Sequence, residues 1–118
     1  MASTTGPNLG IKHSWALREN NWKDEMDANL KLLDAVVGLS VIDRNLITPP
    51  GTPTTGDRYI PAATATGLWL GHEDDIAIWN GAAWVFYTPN EGWLCYIQDE
   101  AVLSVFKSAT GWSAGVAI

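Results

Sequence analysis

The sequence predicts an α+β protein, with an N-terminal arm and helix followed by a small antiparallel β meander. Three observations carry this. A single apolar stripe at helical spacing lies between Asn21 and Gly38. A proline cluster, Pro49, Pro50 and Pro53, follows it. Beyond that cluster the text consists of short apolar runs joined by turn residues, and five of the seven tryptophans fall there, at Trp69, Trp79, Trp84, Trp93 and Trp112. Tryptophans spent this way, with no catalytic constellation beside them, indicate aromatic-packed β structure or an aromatic recognition surface.

The first thirteen residues are polar and hold Gly6, Pro7 and Gly10. They read as an arm that is disordered alone or extended on a partner. The helix opens at Asn21, an N-cap residue type, with Asp24 three positions on. Asp24, Glu25 and Asp27 suit the positive end of the helix dipole, and Gly38 supplies the stop. Trp22, Met26, Leu30, Leu33 and Val37 recur every three or four residues and form one face. Trp15, one heptad before Trp22, is expected to extend it. A helix this short needs a partner surface, in its own chain or in copies of itself. Leu39 to Asp43 reads as a short strand.

The proline-rich segment forbids helix and central strand. The expected organisation is therefore residues 1–47 for docking and oligomerisation, a connector over 48–57, and an aromatic β domain over 58–118. In that last part, Arg58-Tyr59-Ile60 is a strand. Asn80-Gly81 between Ile76–Trp79 and Ala83–Tyr87 is a strong hairpin signal, expected as a two-residue type I′ turn. Trp93–Ile97 and Ala101–Phe106 continue the meander, and Ser108–Gly111 turns into Trp112. A loose echo joins Trp79…Trp84 to Phe106…Trp112, each a strand and turn followed by a returning tryptophan.

Composition narrows the function. Charged residues make up 17% of the chain against a usual quarter, which with many aromatics points to surface buried between chains. The net charge is −6, and residues 46–118 hold two basic against seven acidic groups. Neither nucleic acid nor anionic lipid finds an electrostatic footprint here. No run approaches the length of a membrane span and no signal peptide is evident, so a soluble protein is expected. The lone Cys95 reads as a buried inert thiol. His72-Glu73-Asp74-Asp75 reads as a solvated loop, since a zinc site needs converging ligands and His13 is the other histidine. Glu73, Asp75, Glu91 and Asp99 lack a cleft in which to act as a facing acid pair. No P-loop, dinucleotide fingerprint or nucleophile elbow occurs. The expectation is no catalytic residues, no metal and no cofactor. Trp69, Trp79, Trp84 and Trp93 are the candidates for contact with glycan or a partner, because a flat indole at a hairpin edge stacks on sugar rings.

An ordered series of motifs adds to this reading. It runs Asp43-Arg44-Asn45-Leu46, the three prolines, Gly56-Asp57-Arg58-Tyr59-Ile60, Gly67-Leu68-Trp69, Gly71-His72, Ile76 to Trp84, and Pro89-Asn90-Glu91-Gly92-Trp93. The series resembles a small domain family of unknown function carried by fibre and spike proteins of tailed bacteriophages and gene transfer agents. Asn21 to Asp34 resembles the anchoring helix near the start of phage fibre proteins. The resemblance implies a virion structural protein without enzymatic activity, a trimer, assembled in the bacterial host cytoplasm. Its N-terminal part, with Trp15, Trp22, Met26, Leu30, Leu33 and Val37, would dock on capsid or tail proteins. In larger relatives such a domain precedes a receptor-binding region. The chain ends at Ile118, which favours a fibre base, adaptor or short decoration that holds another fibre protein or touches cell-surface glycan. The competing reading is a free carbohydrate-binding module.

Overall fold

The computed structural model describes residues 3–118. They form two compact units, divided between Val37 and Gly38. The division falls at Val37/Gly38 rather than at the expected 47/48, because Leu39 and Val41 belong to the core of the β unit.

In the first unit, the strands β1 (Thr4–Thr5) and β2 (Lys12–His13) pair antiparallel. The single α-helix α1 spans Trp22–Val36. The arm expected to be extended is thus a hairpin, and it folds onto its own helix. The reason is Asn29, buried in mid-helix. Its side-chain amide mimics a strand: Lys12 N–H donates to Oδ1 at 2.8 Å and Nδ2 donates to the Lys12 carbonyl at 2.8 Å. Ser3 and Trp15 add donors to Glu25 Oε1, each at 2.6 Å. Asn21 does stand at the N-cap, but its side chain makes no capping bond. Its backbone is left-handed (φ 68°) instead of extended, which turns the amide away from the first-turn N–H groups. Gly38 ends the helix as expected, with φ 64°.

The second unit holds two small sheets. One is β4 (Arg58–Tyr59), β5 (Ile76–Trp79) and β6 (Trp84–Tyr87), all antiparallel in chain order. The other contains β3 (Ser40–Val41), β7 (Leu94–Ile97), β8 (Val102–Lys107), β9 (Gly111–Trp112) and β10 (Val116–Ala117). Its order is β10-β8-β7-β3, with β9 on β8. The meander is interrupted where Pro89, buried and without an N–H, and the turn through Gly92 carry the chain from one sheet to the other. The pairing of β3 with β7 is parallel, a non-local contact that no local sequence signal announces. Residues just after β3 also bond to the β4 region, Ile42 N–H to Arg58 O at 2.9 Å and Ile60 N–H to Asp43 O at 3.2 Å. The segment 39–43 is therefore a seam between the sheets. The proline-rich stretch is no free connector. Thr48 Oγ1 lies 2.9 Å from Thr66 Oγ1, and Gly56 N–H donates to the Trp79 carbonyl.

Alternation divides the core. Leu39, Val41, Ile60, Ile76, Cys95 and Ile97 fill one cluster between the sheets, with Trp93 and Trp112 packed against it. Their neighbours Tyr59 and Ala77 face the other way and join Ala65 and Trp69 in a second cluster, under the 3-10 turn Gly67–Trp69.

The Asn80-Gly81 hairpin exists, but its loop is four residues, since Trp79 pairs with Trp84. Gly81 has φ 98° while Asn80 does not adopt positive φ, so the type I′ expectation fails. Asn80 instead closes an Asx turn, its Oδ1 accepting from Ala82 N–H at 2.9 Å and Ala83 N–H at 2.8 Å. The sequence echo has a structural counterpart. Trp79–Trp84 and Phe106–Trp112 are both directly paired across their hairpins, each edge-on with centroids 5.3 Å apart.

Gly81→Val is expected to destabilise the β unit by about 1–3 kcal/mol, because a β-branched residue fits positive φ poorly. A Cβ there also meets Thr55 Oγ1 at 2.9 Å. An unchanged melting temperature would contradict this.

Candidate functional site

The helix carries two faces. Glu25, Asn29, Leu32 and Val36 share one, and Asn29, Leu32, Ala35 and Val36 are buried. The predicted stripe lies roughly 100° around the axis from it. It is not covered: Trp22 is 55% exposed, Met26 37%, Leu30 56% and Val37 61%, with Leu33 half-buried. Trp15 does not extend this face. Its indole bonds Glu25 and so sits with the hairpin on the neighbouring face. The hydrogen bonds from Ser3 and then Trp15 hold the Glu25 carboxyl below its ordinary range. Lys23 and Asp27 pair at 2.8 Å along the exposed helix surface.

A second uncovered apolar surface escaped the sequence reading. Cys95 and Ile97 of β7, with Ser104 of β8, point inward, so Leu94, Tyr96, Leu103 and Val105 point out. Val116 of β10 pairs with Leu103 on this side. Leu94 is 57% and Val116 71% exposed. The available signal was that β7 and β8 are apolar at nearly every position, where a sheet with one wet face alternates.

The four candidate tryptophans separate. Trp69 is fully buried, 5.6 Å from Tyr59 and edge-on to Trp84 at 5.2 Å, and cannot meet a ligand. Its Nε1 has no hydrogen-bond partner among the described residues. That omission costs about 1–3 kcal/mol. Burying an indole of about 200 Å2 returns about 5 kcal/mol, so area decides the position. Trp93 packs on the central core. Trp79 and Trp84 remain half-buried at the hairpin, although Trp84 also leans on the second cluster.

The His72–Asp75 loop is more engaged than expected. His72 Nδ1 lies 3.0 Å from Asp75 Oδ2, and its ring stacks on Phe86 at 3.6 Å. Glu73 accepts from Ala65 N–H, and the Asp74 carbonyl accepts from Trp112 Nε1 at 2.9 Å. Burial, then Asp75 and Glu73, pushes the Asp74 carboxyl up. No three acidic, histidine or cysteine groups converge to hold a metal among the described residues. Burial pushes the Cys95 thiol up to about 12, which keeps it protonated and unreactive.

The densest polar site is built on Arg44. Its guanidinium grips Glu100 in a fork, Nε to Oε2 at 2.9 Å and Nη2 to Oε1 at 2.8 Å. It also donates to the carbonyls of Ser113 at 2.7 Å and Ala114 at 2.9 Å, between β9 and β10. The fully buried Ser104 bonds the same Ser113 carbonyl at 2.7 Å. This site ties the seam to the outer edge of its sheet. Its chemistry is structural.

Fold and surfaces together define a small α+β protein whose conspicuous exposed features are apolar faces. Residues 26–113 match the family described as protein of unknown function (DUF2793), and the chain belongs to that family. A search of curated proteins finds none that matches. No helix among the described residues is long and apolar enough to cross a membrane.

Arg44→Ala should destabilise the β unit by about 3 kcal/mol, since it leaves the Glu100 carboxylate without its fork and removes the donors that hold the segment between β9 and β10. Arg44→Lys should recover little of this, lacking the fork. Chemical denaturation of the three proteins checks both. The Arg44 hydrogen bond holds Glu100 below its ordinary range. Its stabilising effect is therefore complete above the unfolded carboxylate value and fades as pH falls through the folded one. In acid titrations Glu100→Gln should flatten this part of the stability loss; an unaltered acid limb would refute the linkage.

Proposed function

We propose that the chain is a non-enzymatic structural protein of a tailed phage or phage-like particle: a fibre or spike base, adaptor or decoration. The uncovered helix stripe carries the reading. Trp22, Met26, Leu30, Leu33 and Val37 form a continuous apolar face that a free monomer would hold in water, and such faces mark protein interaction sites. In this reading the stripe joins copies of the chain, a trimer, and docks it on capsid or tail proteins in the host cytoplasm. The apolar outer sheet face would take part in the same assembly. The β unit would hold another fibre protein or meet the cell surface. The motif series described above supports the virion assignment, and the match to a family of unknown function is compatible with it. A carbohydrate-binding module is the second reading, favoured by half-buried Trp79 at the hairpin tip.

Leu30→Asp should leave folding intact, because the side chain is already exposed. It should dissociate the oligomer and abolish incorporation into particles, measured by light scattering and by particle composition. A variant that keeps wild-type mass would sink the stripe as an interface. A glycan module would instead keep binding sugar in Leu30→Asp and lose it in Trp79→Ala.

A further inference from the structure

We infer that Asn80 is a self-modifying site, at which the folded hairpin promotes loss of the side-chain amide through a cyclic imide. Asn80 is the single asparagine followed by glycine. The others precede Leu9, Asn21, Trp22, Leu30, Leu46 and Glu91, whose side chains crowd the backbone nitrogen. Gly81 presents its nitrogen without a Cβ, and both residues are exposed.

The geometry adds to the sequence. The hydrogen-bonded ring closed by Ala82 N–H onto Asn80 Oδ1 contains both Asn80 Cγ and the Gly81 nitrogen. The Asx turn thus restricts the rotations that carry the electrophile relative to its nucleophile. Two backbone N–H groups, from Ala82 at 2.9 Å and Ala83 at 2.8 Å, converge on the one oxygen where charge develops. That is the arrangement by which an oxyanion is stabilised in acyl transfer. Both partners are donors, so they meet the amide oxygen and not its nitrogen, which could not accept from them.

The steps balance. Solvent base takes the Gly81 amide proton, and the nitrogen forms a bond to Cγ. The electron pair of the C=O bond moves to Oδ1, where the two N–H groups meet it. Collapse breaks the Cγ–Nδ2 bond, and ammonia leaves with a proton from solvent. Water then opens the imide at either carbonyl, giving aspartate or isoaspartate at position 80. Aspartate keeps an acceptor for the turn and adds a negative charge at the hairpin tip. Isoaspartate inserts a methylene into the main chain and breaks the Trp79–Trp84 register.

The test compares native chain with chain unfolded in urea, both aged in mildly alkaline buffer. Peptide mapping locates conversion, and isoaspartyl methyltransferase labelling detects isoaspartate. The expected result is conversion at Asn80 first, several-fold faster in the folded chain, with none at that position in Asn80→Gln. A folded rate equal to or below the unfolded one overturns the proposal, since the turn would then protect the amide. Faster conversion at any other asparagine overturns it as well.

Discussion

The β unit depends on one side chain reaching across it. Arg44 follows the seam 39–43, which bonds to β7 on one side and towards β4 on the other. From there its guanidinium holds Glu100, at the turn before β8, and the carbonyls between β9 and β10. Two short edge strands of two residues each have little ladder of their own, and isolated pairings of that length are marginal in water. A planar fork with several fixed donors is suited to gathering such pieces, and a lysine is not. Buried Ser104 beneath it completes the network, so the polar atoms brought under the strand edge are satisfied.

Around that tie the aromatics do three different jobs. Trp69 is pure volume, enclosed by Tyr59 and Trp84. Trp112 closes the edge, bonding the Asp74 carbonyl while its ring meets Phe106. Trp22 stands exposed on the helix. Equal residues in the sequence thus become core, fastening and surface according to which neighbour the fold supplies. The acidic loop behaves likewise. His72, Glu73 and Asp75 look available for chemistry, but each is occupied by Phe86, Ala65 or its own neighbour.

Membership of a family of unknown function assigns no activity, so the functional argument rests on surfaces. What distinguishes them is misplaced apolar area: a helix face, and a sheet face containing Leu94, Leu103 and Val116. The low charge of the chain fits the same picture, because interface cores are depleted of charge.

The sequence by itself determined the elements that local physics dictates. The helix and its Gly38 stop follow from apolar spacing and from glycine's freedom at positive φ. The strands over Arg58–Tyr59, Ile76–Trp79 and Trp84–Tyr87 follow from short apolar runs between turn residues. Cys95 was legible as buried because its whole neighbourhood is apolar. Tertiary structure decided the rest. The hairpin of the first unit forms because Asn29, anonymous in the sequence, offers an amide matching the Lys12 peptide. The parallel β3–β7 pair joins segments more than fifty residues apart, and no local pattern encodes such a partner. Trp69 and Trp79 look alike in the sequence, yet one is sealed and the other half open, since burial is a property of the surrounding layer. The exposed stripe was legible as apolar. That it lies uncovered was not, because periodicity fixes which residues share a face and tertiary packing alone fixes what that face meets.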